Sequence, residues 1–282
     1  MVRKEIKLKC KDRKPKKLKK PSFLSKYKNP KIIYDFDGAS IIITGGASGL
    51  GKGTAEKLLA SNANVIIVDY SDQGKQVADD LNKQFAKGKA KCLFIKTDVR
   101  DEEQIKRAVN FTIDNFGSVE GLVCSAGIGG VYRNIAEETL DNWNKVNSID
   151  YTGLMLCNKY VVMQMIKQGK GGSIVNLSSM LGLVGMPSNV AYSTAKGGIV
   201  NLTRSAGTAF ADKGIRVNCV CPGVIDTPLV PEDQKEIFAG LHPMKRIGKP
   251  EEVASLIAFL LSGAAKFITG ASIPIDGGYT AV

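Results

Sequence analysis

A glycine-rich turn that directly follows a short apolar run is the feature that most restricts how this chain can fold. Three isoleucines at positions 41–43 lead into residues 44–51, which are Thr-Gly-Gly-Ala-Ser-Gly-Leu-Gly, and a helix-compatible segment follows. A strand that passes through such a turn into a helix can hold a nucleotide pyrophosphate, because backbone N–H groups at the helix start point at the anion. The turn therefore predicts a dinucleotide site with contacts from Gly45, Ser48, Gly49, Leu50 and Gly51.

Short apolar runs recur along the chain and alternate with amphipathic segments. Strands are expected at 40–44, 64–68, 92–97, 121–124, 173–177, 216–220 and 272–275, and helices over segments such as 50–60, 101–116, 138–168 and 190–212. Continuous apolar strands that alternate with helices are typical of a parallel sheet covered on both faces. We therefore expect an α/β fold: a Rossmann-type doubly wound parallel sheet in three α/β/α layers, as a single domain over residues 37–282.

The net charge of +12 comes from one end of the chain. Residues 1–31 contain 14 Lys and Arg against Glu5 and Asp12, whereas the remainder has 25 Lys and Arg and 25 Asp and Glu. A segment with so few apolar residues cannot bury enough surface to order itself, so residues 1–36 are expected to be a disordered basic tail. The alternative is that the tail binds a polyanion: an acidic partner, RNA or an anionic membrane surface.

Two other features bear on the compartment. No apolar segment of signal-peptide or membrane-spanning length is present, which favours a cytoplasmic location. The six cysteines show neither a CxxC pair nor a metal-ligand spacing, so we expect reduced packing residues and no metal site. They are Cys10, Cys92, Cys124, Cys157, Cys219 and Cys221.

The second expected strand ends in Asp69, about twenty residues after the glycine turn. A carboxylate at that place binds the adenosine ribose hydroxyls and repels a 2′-phosphate. The turn itself has Ser48, not a basic residue, before Gly49. Both features favour NAD over NADP, with Tyr70 as a neighbouring contact.

Tyr192 and Lys196 form a candidate acid–base pair. They are four residues apart in a helix-compatible segment, so they lie on one face of a helix. A free tyrosine is a poor base near neutral pH, but an ammonium at about 4 Å stabilises the phenolate by roughly the amount required. Ser179 follows an expected strand, and ligands bind at the carboxyl ends of strands in open α/β sheets. With a hydride-carrying cofactor, this set indicates an alcohol/ketone oxidoreductase.

From about residue 37 to its C-terminus the chain resembles a short-chain dehydrogenase/reductase. The glycine turn matches the family motif, and the family's Asn-Ser-Tyr-Lys tetrad falls on Asn147, Ser179, Tyr192 and Lys196. The resemblance implies that Tyr192 exchanges the proton while Ser179 holds the substrate oxygen. It also implies that Lys196 supports Tyr192 and binds the nicotinamide ribose, and that Asn147 positions a water linked to Lys196.

The same resemblance implies further cofactor contacts. The family's Asn-Asn-Ala-Gly is replaced by Cys-Ser-Ala-Gly at 124–127, so the backbone contact is retained while the amide side chains that tether the strands are not. An Asp-Val pair for the adenine and a Pro-Gly segment with a later Thr for the carboxamide are also present. The implied contacts are Asp98, Val99, Ser125, Ala126, Gly127, Pro222, Gly223, Val224, Ile225 and Thr227.

The substrate region is less constrained by sequence. Residues 228–245 are expected to form a mobile lid, with His242 as a loop residue, and Trp143 is expected to pack. Apolar residues near the catalytic set suggest either core packing or an apolar, uncharged pocket. These are Ile128, Val131, Tyr132, Met180, Leu181, Val184 and Met186.

Together these features predict an NAD(H)-dependent enzyme that interconverts a secondary alcohol and a ketone. The substrate is expected to be apolar or mid-sized, such as a hydroxysteroid, and the resemblance implies a homotetramer or dimer. Two alternatives stay open: an NADP-dependent 3-oxoacyl reductase, which Ser48 and Asp69 do not favour, and a binding protein of the same fold that uses its basic tail.

Overall fold

Seven apolar strands pair side by side, all in parallel, in the part of the chain that the computed structural model describes, residues 34–282. The strand order is β3-β2-β1-β4-β5-β6-β7. The strands are β1 Ser40–Thr44, β2 Asn64–Asp69, β3 Cys92–Lys96, β4 Gly121–Cys124, β5 Gly172–Leu177, β6 Ile215–Pro222 and β7 Ser272–Ile275. The predicted doubly wound sheet is therefore confirmed, and the bounds of β1, β4 and β7 are those expected from sequence.

Helices connect the strands and cover both faces of the sheet. They are α1 Gly49–Leu59, α2 Gln73–Gln84, α3 Glu102–Phe116, α4 Leu140–Val146, α5 Leu154–Gln168, α6 Val190–Ala209, α7 Lys235–Leu241 and α8 Pro250–Leu261. Local chemistry sets several ends. The carboxylate of Asp101 accepts from the backbone N–H groups of Glu103 and Gln104 at the start of α3, and Gly117 ends that helix in a left-handed conformation.

The core lies in two layers because alternate residues of a strand point to opposite faces of the sheet. Ile41 and Ile43 of β1 face the layer that contains α1 and α8, whereas Ile42 faces the layer of α3 and α5. All three isoleucines are almost completely buried. The sequence pattern of continuous apolar strands follows from this arrangement, since both faces are covered.

The order of the strands places a crevice at the centre of the sheet. β1 pairs with β2 on one side and with β4 on the other, with Thr44 opposite Cys124 at the carboxyl end. The chain winds in opposite directions from this point, so the loops after β1 and β4 diverge and leave a cleft between them. Both the glycine turn and the Ser-Ala-Gly segment begin here.

The expected helix over 138–168 is interrupted. α4 and α5 are separated by a π-helical segment, Asn147–Gly153, in which each turn is wider than in an α-helix. Such segments change the direction in which the following side chains point and are frequent at functional sites. The sequence pattern did not reveal this segment because the apolar spacing on either side is helical.

The cysteines within residues 34–282 are all free and buried, as expected for packing residues. Burial, aided by the charge of Asp79, raises the pKa of the Cys92 thiol to about 12. Cys10 and most of the predicted basic tail lie outside the described residues. Within the described range no helix is both long and apolar enough to cross a membrane, and no cluster of side chains is arranged to hold a metal ion.

Candidate active site

The turn between β1 and α1 is built from backbone alone. Gly45 has a φ of +67°, and a Cβ atom added there would lie 2.7 Å from the backbone nitrogen of Ala126. A Cβ atom at Gly51 would collide with the carbonyl oxygen of Gly45. Glycine at these positions therefore lets β1, α1 and the loop after β4 approach closely, and leaves the turn open to a ligand.

The start of α1 suits an anion. Ser48 precedes the helix in an extended conformation and makes no side-chain capping bond, and the first turn of α1 contains no acidic residue. The first N–H groups of a helix have no intrahelical partner, and the helix dipole makes this end positive. Thr227 of the loop after β6 lies beside Gly49, because a Cβ atom at Gly49 would be 3.5 Å from that side chain. These features fit a dinucleotide pyrophosphate.

Asp69 lies at the rim of this turn. One carboxylate oxygen accepts a hydrogen bond of 2.9 Å from the backbone N–H of Ala47, and the other accepts one of 2.9 Å from that of Ser71. The carboxylate is thus held against the glycine turn at the carboxyl end of β2, as the sequence predicted. Tyr70 beside it is largely exposed.

Asp98 is paired with a guanidinium. Arg100 donates to both carboxylate oxygens of Asp98, with distances of 2.9 Å from Nε and 2.6 Å from Nη2. The hydrogen bonds from Arg100 hold the pKa of that carboxyl below its ordinary value. The neighbouring Val99 is buried and packs close to Gly153 of the π-helical segment.

The loop after β4 is tethered by a hydroxyl. Thr44 Oγ1 accepts from the backbone N–H groups of Ser125 and Ala126, each at 3.2 Å. The sequence lacks the family's amide side chains at 124–125, and this threonine at the end of β1 supplies a connection between the two strands at that point. The backbone of residues 125–127 therefore remains fixed along the crevice.

The loop after β6 is held by His242. The Val224 N–H donates to His242 Nε2 at 3.1 Å, and His242 Nδ1 donates to the carbonyl of Phe238 at 2.8 Å. His242 is 1% exposed and follows the last residue of α7. The prediction of a loop residue is therefore confirmed, but the burial of this side chain directly after a short helix was not predicted.

The proposed acid–base pair lies on α6. Lys196 Nζ is 5.3 Å from the ring centroid of Tyr192. Ser179 follows β5, and its hydroxyl accepts from the Leu181 N–H at 3.1 Å at the start of a short 3₁₀ helix. The structure thus brings Tyr192 and Lys196 together and places Ser179 at the carboxyl end of a central strand.

Asn147, expected to position a water linked to Lys196, begins the π-helical segment, and that role stays a prediction. Its amide donates to the Trp143 carbonyl at 2.9 Å within its own helical turn. The side chain against Lys196 is Asp150, with 3.0 Å between Asp150 Oδ2 and Lys196 Nζ. The reason is the π-helical segment, whose wider turn directs Asp150 inward. The sequence carried no signal for this contact, because α-helical spacing does not apply within a π-helical segment.

Asp150 and Lys196 are both removed from solvent. Their side chains are 0% and 7% exposed, and Asp150 Oδ1 also accepts from the Ile128 N–H at 2.8 Å. Burial alone would lower the pKa of the Lys196 ammonium, but the charge of Asp150 and the proximity of Tyr192 outweigh it, so the pKa is raised. Lys196 is therefore a protonated lysine with a fixed counter-ion.

The apolar residues named from sequence fall into two groups. Ile128 and Trp143 pack with Tyr192 against Val146 and other small residues, which confirms the packing role of Trp143. Met180 and Leu181 are buried, whereas Val131 and Tyr132 are 50% and 60% exposed. Val131 and Tyr132 are therefore accessible to a substrate, whereas Met180 and Leu181 belong to the core.

Comparison with known proteins identifies the family. A family model described as "Enoyl-(Acyl carrier protein) reductase" matches residues 45–280. Cis-4-hydroxycyclohexanecarboxylate dehydrogenase of Sinomonas cyclohexanicum is 43% identical over 244 residues, covering 86% of this chain and 96% of the relative. Cyclohexanol dehydrogenase of an Acinetobacter species (strain SE19) is 36% identical, covering 87% and 96%.

Solved structures agree with this result. Levodione reductase superposes with a TM-score of 0.83 at 35% identity, covering 86% of this chain and 98% of its own. A structure of ElxO with NADP bound gives a TM-score of 0.81 at 32% identity, covering 87% and 100%. The match to the family model and the relatives, together with the fold and the Tyr192–Lys196 pair, show that this chain is an oxidoreductase of the short-chain dehydrogenase/reductase family.

Proposed function

We propose that the protein interconverts a secondary alcohol and a ketone with NAD(H). The observation that carries this proposal is the buried Lys196 beside Tyr192, next to a glycine cradle that suits a dinucleotide. An acid–base group and a hydride-carrying cofactor at one edge of the sheet are the two requirements of the reaction.

Each side chain has a stated task in this proposal. In oxidation, the Tyr192 phenolate accepts the hydroxyl proton of the alcohol, and in reduction the phenol returns it to the ketone oxygen. The Ser179 hydroxyl donates to the same oxygen, and the Lys196 ammonium stabilises the phenolate. The nicotinamide, when bound, would accept or supply a hydride at the substrate carbon, while Tyr192 takes or returns one proton at the oxygen, so that two electrons and two protons are exchanged in all.

The preference for NAD rests on Asp69. Its carboxylate is fixed by Ala47 and Ser71 at the edge of the glycine turn. A negative charge there repels a 2′-phosphate and accepts hydrogen bonds from ribose hydroxyls. A related structure contains NADP, so the comparison between the two cofactors has to be made directly on this protein.

The substrate class that we propose is a secondary alcohol on a six-membered carbon ring. Several relatives carry names of that chemistry: a hydroxycyclohexanecarboxylate dehydrogenase, a dichlorocyclohexadiene-diol dehydrogenase and a cyclohexanol dehydrogenase. In this chain Ile128 packs with Tyr192, and the partly exposed Val131 and Tyr132 follow on the same loop. An apolar ring would contact these side chains while its hydroxyl reaches Tyr192.

The test is a substrate panel read at the absorbance band of reduced nicotinamide, with NAD and NADP at equal concentration. It includes cyclohexanol, both isomers of 4-hydroxycyclohexanecarboxylate, a hydroxysteroid, 2,3-butanediol and a 3-oxoacyl thioester. We expect the highest kcat/KM with a ring alcohol and NAD. Preferred turnover of the thioester with NADPH would replace this proposal by the 3-oxoacyl reductase alternative.

We also propose that the enzyme acts in the cytoplasm as a homotetramer or dimer. Met155, Met163 and Ile166 lie along α5 and are 38–55% exposed, which gives this helix an apolar outer surface. A second copy of the chain could cover it. Light scattering of the purified protein tests the assembly, and a monomer at micromolar concentration would contradict it.

A further inference from the structure

The closest charged neighbour of Lys196 is a carboxylate that comes from another element of the fold. Asp150 lies in the π-helical segment and Lys196 in α6, and 3.0 Å separates Oδ2 from Nζ. Both side chains are buried, so solvent screens their interaction little. Neither charge would be stable there alone, because an isolated buried charge is strongly unfavourable.

Asp150 also joins Lys196 to the cofactor side of the crevice. Its other oxygen accepts from the Ile128 N–H, directly after the Ser-Ala-Gly segment at 125–127. A Cβ atom at Gly127 would lie 2.9 Å from Asp150 Oδ2 and 3.4 Å from Lys196 Nζ, so the backbone there packs on the ion pair. The carboxylate therefore fixes the position of the ammonium relative to the loop after β4.

An ion pair and a hydrogen bond hold the ammonium of Lys196. Nζ donates to the Leu177 carbonyl at 3.3 Å, and it lies 3.0 Å from Asp150 Oδ2 in an ion pair that does not have hydrogen-bond geometry. These two contacts fix the position of the ammonium, which has three donors and so can also donate to a cofactor ribose.

The remaining titratable groups around Lys196 do not supply a competing charge. Tyr192 lies on the same helix, and the ring of Tyr151 packs against α6 at Gly198. Cys124 faces Lys196 from β4, with Cys157 of α5 behind it. Burial, with the neighbouring Cys157, raises the pKa of the Cys124 thiol well above its ordinary value, so this thiol is neutral. Among the described residues, Asp150 is the counter-charge of the lysine.

We propose that Asp150 is a positioning residue that acts through Lys196. Its negative charge keeps Lys196 protonated, and it sets the pH range over which the Lys196–Tyr192 pair exchanges a proton with the substrate. The claim about the pH range rests on the proposed alcohol oxidation. The claim that Asp150 keeps Lys196 protonated concerns the protein without cofactor and is tested separately.

The first test is the pH profile of alcohol oxidation. Asp150→Asn keeps the shape and the acceptor for Ile128 but removes the charge. The coupled Lys196–Tyr192 pair then loses its first proton more easily, so the acid-side midpoint of kcat/KM should fall by about one unit or more. Asp150→Glu keeps the negative charge at this buried position, so the acid-side midpoint of kcat/KM should stay near that of the parent. Glu102→Gln, which removes an exposed carboxylate from α3, is the matched control and should not move it.

The second test needs no cofactor or substrate. In the parent protein the raised pKa of Lys196 contributes stability that is fully present below the ordinary lysine pKa and lost above it. In Asp150→Asn, Lys196 is buried without a counter-charge, so its pKa is lowered instead of raised. The stability of this variant should therefore rise with pH toward the ordinary lysine pKa. The difference in Tm between parent and variant should therefore be largest near neutrality and narrow between about pH 8 and 10.

A double variant covers the case in which Asp150→Asn does not fold. Asp150→Asn combined with Lys196→Met removes both charges, and it should fold and be more stable than Asp150→Asn alone. A double variant that is no more stable contradicts the proposal. So does an unchanged pH midpoint in Asp150→Asn, or a Tm difference that is independent of pH. If no alcohol is oxidised by the parent, the proposed function fails, while the two stability experiments still decide whether Asp150 holds Lys196.

Discussion

At the scale of single residues, the proposed chemistry depends on one phenol oxygen and the charges beside it. Tyr192→Phe removes the group proposed to exchange the substrate proton and leaves Lys196 and the glycine turn in place. Turnover should fall by at least about a hundredfold, the scale of general acid–base catalysis. NADH should still bind, as measured by fluorescence titration. Tyr34→Phe, at the first described residue and away from the proposed site, is the control for loss of a tyrosine hydroxyl. A Tyr192→Phe enzyme with near-normal turnover would disprove the mechanism.

Asp69 governs the choice of cofactor by its charge. Asp69→Ala removes the repulsion of a 2′-phosphate and the acceptor for ribose hydroxyls, so kcat/KM should decrease for NAD and increase for NADP. The ratio of the two values in parent and variant is the measurement. Asp80→Ala, which removes an exposed carboxylate from α2, should leave the ratio unchanged. A parent enzyme that turns over NADP faster would show that Asp69 has another role.

The candidate site residues whose places in the fold follow the sequence share one property: their geometry follows from regular secondary structure. Tyr192 and Lys196 are four apart in an α-helix, and Asp69 ends a strand, so spacing alone brings them to the crevice. Asn147 and Asp150 lie in a π-helical segment, where α-helical spacing no longer applies. The partner of Lys196 could therefore be found only from coordinates.

At the scale of elements, strands were predicted more reliably than the segments that cover the site. A buried parallel strand is a continuous apolar run bounded by polar residues, and β1, β4 and β7 have the expected bounds. α7 is seven residues long and lies between Pro231 and Pro243, so its pattern is too short for periodicity to show. The buried contact of His242 depends on that helix and was missed with it.

His242 connects α7 to the proposed cofactor loop, and its replacement should weaken both. His242→Leu leaves the Val224 N–H and the Phe238 carbonyl without their partner, at a cost of about 1–3 kcal/mol in the free energy of unfolding. Because Val224 lies in the loop after β6, the affinity for NADH should also fall. Urea unfolding of the cofactor-free protein and fluorescence titration measure the two effects.

The control for this experiment is on the same helix. Ile237 is 67% exposed, so Ile237→Ala should change the free energy of unfolding by less than about 0.5 kcal/mol. If His242→Leu has parent stability and parent NADH affinity, the two hydrogen bonds do not hold the loop.

At the scale of the whole molecule, the chain combines a neutral catalytic unit with a basic N-terminal segment. The fold could be predicted because every strand–helix unit repeats the same apolar pattern, and a parallel sheet is the arrangement that buries all of them. The family model matches residues 45–280, so it says nothing of the basic segment. Its role has to be tested separately from the activity.

We predict that residues 1–30 are dispensable for catalysis. A chain that begins at Lys31 retains Tyr34, whose ring lies 6.3 Å from that of Phe259, and Phe36, whose N–H donates to the Ser61 carbonyl at 2.9 Å. These contacts anchor the start of the described domain. The shortened chain should therefore fold and keep the turnover number and NADH affinity of the full chain.

The same shortened chain tests what the basic segment binds. Attraction of the 13 Lys and Arg of residues 1–30 to a polyanion is mainly electrostatic, so any retention of the full chain on RNA or anionic vesicles should weaken between about 50 and 200 mM salt. Retention should be absent in the shortened chain, because it has 26 Lys and Arg against 25 Asp and Glu and is therefore almost neutral. If the shortened chain loses turnover or does not fold, residues 1–30 support the domain directly. If it still binds polyanions at low salt, the binding surface lies on the domain and not in the basic segment.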